Sequence, residues 1–225
     1  SPGDDAILTA TDGMGVIAVE GVAGGTVGPV DLSGRYDAGG QSIDEFDLDL
    51  APGGEVDNIG PMRIQGGLGS GGFDASGLDL DETFVMSGQV AGDILANTIS
   101  DMSLGSLVSG GRVETTEWIG SLAFSGEVSG GTIRANGNNP ADSDRAISSL
   151  VISDDDAVAA GMSGGSVEAP AGGIGGMTIE GDVTGGQVRA DDDTGLGVIE
   201  DVDIVGNVNV PFNTGDPSTR LLVAE

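Results

Sequence analysis

A chain of 225 residues is long enough for one or two globular domains, yet 43 glycines, 3% aromatic and 38% hydrophobic residues supply little of the bulk that a compact layered core needs. The formal charge of -30 sets 37 acidic residues against seven basic ones, all arginine. This argues against nucleic acid and membrane insertion, since a phosphate backbone demands clustered cations. With no cysteine, no histidine and no run of about 18 apolar residues, a disulfide framework, a thiol or imidazole catalyst and a bilayer-spanning helix are excluded as well.

Residues 1–13 open without a basic, apolar signal segment, so a secreted protein is expected here in mature or excised form. A short apolar run at residues 6–10 precedes the turn signal Thr11, Asp12, Gly13 and reads as an N-terminal cap or partial rung.

From residue 14 to 210 a single phrase recurs. Residues 119–135 read I-G-S-L-A-F-S-G-E-V-S-G-G-T-I-R-A, and residues 174–190 read I-G-G-M-T-I-E-G-D-V-T-G-G-Q-V-R-A. Nine copies align on the position of Ile119, namely Met14, Ile43, Ile59, Asp81, Ile99, Ile119, Ile147, Ile174 and Ile199, at intervals of 16 to 29 residues. Apolar side chains follow three and five residues later, as at Leu122 and Phe124 or Met177 and Ile179, and a spacing of two is the strand period. A second inward position stands at Val128 and Val183. Gly-Gly pairs come next, at 24/25, 53/54, 71/72, 110/111, 130/131, 164/165 and 185/186, where a sharp corner calls for positive φ. A third inward position follows, as at Val113, Ile133, Val167 and Val188.

Strands of period two joined by glycine corners, repeated every 20 or 30 residues, specify a parallel β-helix, each coil burying its apolar face on its neighbours. The expectation is an all-β, right-handed parallel β-helix (β-solenoid) of about nine coils with short terminal caps. Its hand follows the preference of parallel crossovers. The residue after the third inward position supplies a check on the register: Glu114, Arg134, Glu168 and Arg189 alternate in sign. Stacked strands lie about 4.8 Å apart, so these four would form an outward ladder of alternating charge.

Polar insertions lie between the phrases, at residues 28–41, 136–145, 154–161 and 191–195. Two of them carry the conspicuous carboxylate runs, Asp154, Asp155, Asp156 and Asp191, Asp192, Asp193. Calcium takes six to eight oxygen ligands from carboxylates and loop carbonyls, so these aspartates are its candidate ligands, the alternative being solvated loops. Paired carboxylates also serve glycoside hydrolases, but these runs lack the histidine, lysine and aromatic neighbours that bind and activate a sugar. Trp118, the one tryptophan, reads as a corner residue covering the core or as a sugar platform.

The chain leaves the repeat at Pro211. Residues 211–225 carry Phe212, Leu221, Leu222 and Val223, an apolar tail that either folds back as a cap or docks on another subunit and propagates a filament.

The repeat I-G-x-Φ-x-Φ-x-G-x-V-x-G-G-x-V-x-A resembles the Gly-rich β-solenoid repeats of large bacterial cell-surface and secreted proteins, such as adhesin and autotransporter passenger segments, over residues 14–210. It departs from the hexapeptide helix of acyltransferases, because Ser125 and Gly131 stand six and twelve residues beyond Ile119, where that family needs aliphatic side chains. The resemblance implies an extracellular structural or adhesive role within a longer chain or assembly, and no family active site transfers. The expected function is a non-enzymatic structural subunit of an extracellular surface layer or filament, self-associating or joined to neighbouring domains. The alternatives are an adhesin-type module for polysaccharide or mineral, aided by calcium, and a polysaccharide lyase or hydrolase.

Overall fold

The structure, a computed structural model, describes residues 14–20, 25–27, 30–32, 42–49, 56–59, 62–64, 67–142, 145–153, 161–190 and 197–208, with side chains from residue 67 onward except at 71, 78 and 82. Every regular element among them is a strand. In chain order these are β1 (Met14–Glu20), β2 (Gly25–Val27), β3 (Val30–Leu32), β4 (Ser42–Asp49), β5 (Val56–Ile59), β6 (Met62–Ile64), β7 (Gly67–Val90), β8 (Asp93–Leu107) and β9 (Arg112–Thr115). The second half continues with β10 (Ile119–Phe124), β11 (Thr132–Ala135), β12 (Arg145–Ile152), β13 (Gly161–Met162), β14 (Ser166–Ala169), β15 (Gly173–Glu180), β16 (Asp182–Val183), β17 (Gln187–Ala190) and β18 (Ile199–Val205).

All pairings between these described strands are parallel, and they stack the chain into a β-solenoid of about six turns with three faces. One face carries the residues after the glycine corners, with Ile94 beside Val113, Val113 beside Ile133, Ile133 beside Val167 and Val167 beside Val188. A second face carries the residues after the Ile119 position, running Met62, Phe84, Met102, Leu122, Leu150, Met177, Val202 from rung to rung. The third is narrow. Val90, Leu107, Val128, Met162, Val183 and Val208 follow one another there through short strands and single bridges.

Alternation of side chains converts this register into a core. In β9, β11 and β14 the first and third residues face outward and the second and fourth are buried. Ile94, Val113, Ile133 and Val167 have no exposed surface, and neither do Leu122, Leu150 and Ile179 on the second face. Each such side chain contributes roughly 1.5 to 3 kcal/mol on leaving water. Phe73 and Phe84, on two different faces, meet in the interior with ring centroids 5.4 Å apart. Where the first face bends toward the second, the inward column is small: Ala75, Ala96, Thr115, Ala135, Ala169 and Ala190, each at most 2% exposed. Short side chains at this position let the chain turn without overfilling the corner.

The glycine corners take the conformation that their sequence requires. Gly72, Gly131, Gly165 and Gly186 have φ of 85°, 77°, 80° and 94°, a region that other L-residues rarely enter. They also lie directly on one another: Thr132 N donates to Gly111 O at 3.1 Å, Ser166 N to Gly131 O at 3.0 Å and Gln187 N to Gly165 O at 3.0 Å. In the 110/111 pair the positive φ, 96°, falls on the first glycine. Six residues separate Leu107 from Val113 there, against five between Val128 and Ile133, so the extra residue moves the bend one step back.

Two alignments are corrected by the pairings. The copies at Met14 and Ile43 are not coils of the Ile119 ladder. They pair with each other, and Phe46 then pairs with Phe73, which puts both strands on the glycine-corner face. The offset-three residues of the copies from Ile59 onward remain in one ladder, beginning at Met62 with β3 paired ahead of it, while Ile59 itself pairs with Val27 in a separate sheet; the solenoid has about six turns where nine coils were expected. Asp81 is likewise not the counterpart of Ile99. Leu80 is, and the register shifts between Leu80 and Thr83, because four residues separate Leu80 from Phe84 where three separate Ile99 from Met102. The shift leaves Asp81 exposed and Leu80 buried.

Candidate functional site

Outward positions of the glycine-corner face hold the densest polar network in the described structure. The register sets Glu114 beside Arg134, Arg134 beside Glu168 and Glu168 beside Arg189. Arg134 Nη1 donates to Glu168 Oε2 at 3.0 Å, and its Nε donates to Asn136 Oδ1 at 2.7 Å. Glu114 is engaged from the side: Arg112 Nη1 donates to its Oε2 at 2.7 Å and Asn136 Nδ2 to its Oε1 at 2.9 Å. Arg112 Nη2 also reaches Asp93 Oδ2 at 2.6 Å. One connected path thus crosses four rungs, from Asp93 on β8 through Arg112, Glu114, Asn136 and Arg134 to Glu168 on β14.

These side chains are 25 to 42% exposed, so each ion pair is screened by water and contributes at most about 1 kcal/mol. Hydrogen bonding to Asp93 raises the Arg112 pKa beyond its already high value, and the carboxylates of Asp93 and Glu114 add to the effect against a small cost of burial. The shift favours the charged guanidinium.

Further polar contacts join rungs elsewhere. Asp79 accepts from Asn97 Nδ2 and Thr98 Oγ1, both at 2.8 Å, and Thr116 Oγ1 donates to Asn97 Oδ1 at 2.5 Å. Asp182 accepts from Asn207 N at 2.8 Å and Nδ2 at 3.0 Å, which holds its pKa below the ordinary carboxylate value. Arg145, at the start of β12, holds Asp142 at 3.1 Å and also pairs with Glu200 of β18, reaching over β15. Gly173 and Gly175 make that reach feasible: a Cβ on Gly175 would stand 2.8 Å from Arg145 Cδ.

Trp118 is half-buried at a corner, with its ring over Gly120 and its carbonyl accepting from Ile99 N at 3.1 Å. The aspartates at 154, 155, 156, 191, 192 and 193 lie outside the described residues, as do Phe212, Leu221, Leu222, Val223 and residues 1–13. Among the described residues no cluster of three or more carboxylates is placed to hold a metal ion. The alternating ladder was visible in the sequence because its members share one offset. Asp93, Arg112 and Asn136 were missed, since Arg112 and Asp93 stand two residues before the ladder position and Asn136 two after it.

The fold and this surface define a parallel β-solenoid whose polar side chains link rung to rung. Comparison of the chain with protein-family models, with curated proteins and with solved structures found no match.

Proposed function

We propose that the chain is a non-enzymatic structural subunit of an extracellular surface layer or filament, a stiff rod that extends by stacking solenoid ends. The observation that supports this reading is the use made of its polar side chains. Asp79, Asp93, Arg112, Arg134, Arg145, Glu168, Asp182 and Glu200 all bind groups on other rungs, reinforcing the stack along its axis. Solenoids of this kind gain stability from each interface between repeats, and a head-to-tail contact that does not close yields an open fibre.

Negative-stain electron microscopy at low and high salt, with calcium or with chelator, tests the proposal. Rods of uniform width longer than a single chain are the expected result, and deletion of residues 211–225 dissolves them if the apolar tail joins subunits. Dispersed short particles in every condition overturn it, and a calcium-dependent binding module then becomes the better reading.

A further inference from the structure

The charge on the described surface is unevenly shared. Outward positions of the second face carry acids and uncharged side chains: Asp101, Asp201 and Asp203 among serine, threonine, alanine and valine. Three of the four arginines whose side chains are described, Arg112, Arg134 and Arg189, stand instead on the glycine-corner face, interleaved with Glu114 and Glu168. The stretch of that face from β8 to β17 is close to neutral on a chain of charge -30, with Asp93, Glu114 and Glu168 offsetting the three arginines, while Asp47 and Asp74 continue the register on β4 and β7. It is therefore the surface on which two copies repel each other least.

The order of its charges adds something stronger than neutrality. Read along the axis from β9 to β17, beyond Asp74 and Leu95 of the same register, the column is Glu114, Arg134, Glu168, Arg189. Turned through a two-fold axis between Arg134 and Glu168, it becomes its own complement: Glu114 meets Arg189 of a second copy, and Arg134 meets Glu168. The neighbouring outward column is also compatible with such an approach. Thr132 and Ser166, both short, flank the axis and leave room for the longer side chains.

We propose that this face pairs laterally with the same face of a second, antiparallel copy of the chain. The contact is isologous, so each residue is used twice. Four rungs at about 4.8 Å and four residues at about 3.3 Å span a patch of about 250 Å² once side chains are included. That is well under the roughly 800 Å² per partner of a standard interface, so a lone pair of chains associates weakly and the contact orders rods that are already aligned. It is independent of end-to-end stacking, which uses the ends of the solenoid rather than its side.

Salt gives the pairing a distinctive signature. At about 0.01 M the screening length is about 30 Å and the net repulsion of two acidic chains opposes contact. At about 0.1 M it is about 10 Å, which removes most of that repulsion but spares pairs in contact, and at about 1 M it is about 3 Å, which weakens the pairs as well. Association should accordingly pass through a maximum at intermediate ionic strength.

The experiment is sedimentation equilibrium of the full chain and of two variants across that salt range, with circular dichroism to establish folding. Arg134→Glu sets like charges against each other twice in the dimer and should weaken association by about tenfold or more. The double variant Arg134→Glu with Glu168→Arg keeps the intrachain pair and also keeps the two-fold complementarity, because the column becomes Glu, Glu, Arg, Arg. It should associate within about threefold of the parent. A parallel contact slipped by one rung would tolerate the parent column but not this one, so loss of association in the double variant overturns the antiparallel arrangement. A chain that stays monomeric at all salt concentrations, or associates equally well at about 1 M salt, overturns the pairing altogether. Monomers at every salt concentration would also count against end-to-end stacking, whereas rods in micrographs together with association that Arg134→Glu leaves unchanged overturn the lateral pairing alone.

Discussion

Replacing Gly131 by alanine separates two demands that the corner makes. Its φ of 77° costs a side-chain-bearing residue about 1 to 2 kcal/mol. In addition, a Cβ there would lie 2.3 Å from Gly111 O and 2.9 Å from Val108 O, both backbone atoms of the preceding turn. Ordinary contact needs about 1 Å more, and opening the gap stretches the bond from Thr132 N to Gly111 O, now 3.1 Å, at a cost of about 1 kcal/mol on top of about 1 to 3 kcal/mol for overpacking. Alanine restores some stability by restricting the unfolded chain, about 0.4 to 1 kcal/mol, so the net loss is about 3 kcal/mol. Three other glycines isolate the components. Gly77 has φ of 84° with no atom within 4 Å of a Cβ, and alanine there should cost no more than about 1.5 kcal/mol. Gly164 lacks the positive φ but would set a Cβ 2.5 Å from Ser129 O, and should lose about 2 kcal/mol. Gly176 has neither constraint, and alanine should stabilise it by about 0.5 kcal/mol. Urea titration followed by circular dichroism ranks the four. If Gly131→Ala proves no more destabilising than Gly77→Ala, close stacking of the corners is not what the second glycine serves.

Enlarging the small inward column should be costly in its own way: Ala135→Leu, at a site with no exposed surface, is expected to destabilise by about 1 to 3 kcal/mol, read from the same titration. Because the chain contains no lysine, trypsin can cut only after its seven arginines, and Glu200→Gln should hasten cleavage after Arg145 by freeing it from β18, with the remaining sites as internal control. For Asp182, the Asn207 backbone N–H and then its side-chain amide favour the charged form and depress the folded pKa. The stabilisation is therefore complete above the unfolded value of about 3.9 and is lost only as pH falls through the lower folded value. The protection factor of the Asn207 amide, its exchange relative to the intrinsic rate at each pH, should hold down to about pH 4 and fall below it; a fall already at about pH 5 would contradict the assignment.

Much of the architecture was legible because inward positions repeat at fixed offsets from glycine pairs. Ile133, Val167 and Val188 were identified from their places two residues after a corner, and all three are buried. The same rule misplaced Met14 and Ile43. An apolar pair two residues apart looks alike on any face of a solenoid, and only pairing partners reveal which face it occupies. Asp81 failed for a local reason, since a one-residue shift in a ladder leaves no mark in sequence spacing when neighbouring intervals already vary. The polar surface was legible only in part. Sign alternation at one offset exposed Glu114, Arg134, Glu168 and Arg189, whereas the Arg145 contact with Glu200 joins residues 55 apart whose meeting depends on glycines in the strand between them.

That last contact changes how the rod comes apart. Backbone pairing links each rung to the next alone, so a solenoid held only by its ladders frays one rung at a time, like a chain of nearest-neighbour couplings. Arg145 ties β12 to β18 across β15 and adds a coupling to the next neighbour but one. Loss of β18 then frees one contact of Arg145 on β12 as well, so peeling at this end is coupled, weakly, across three rungs.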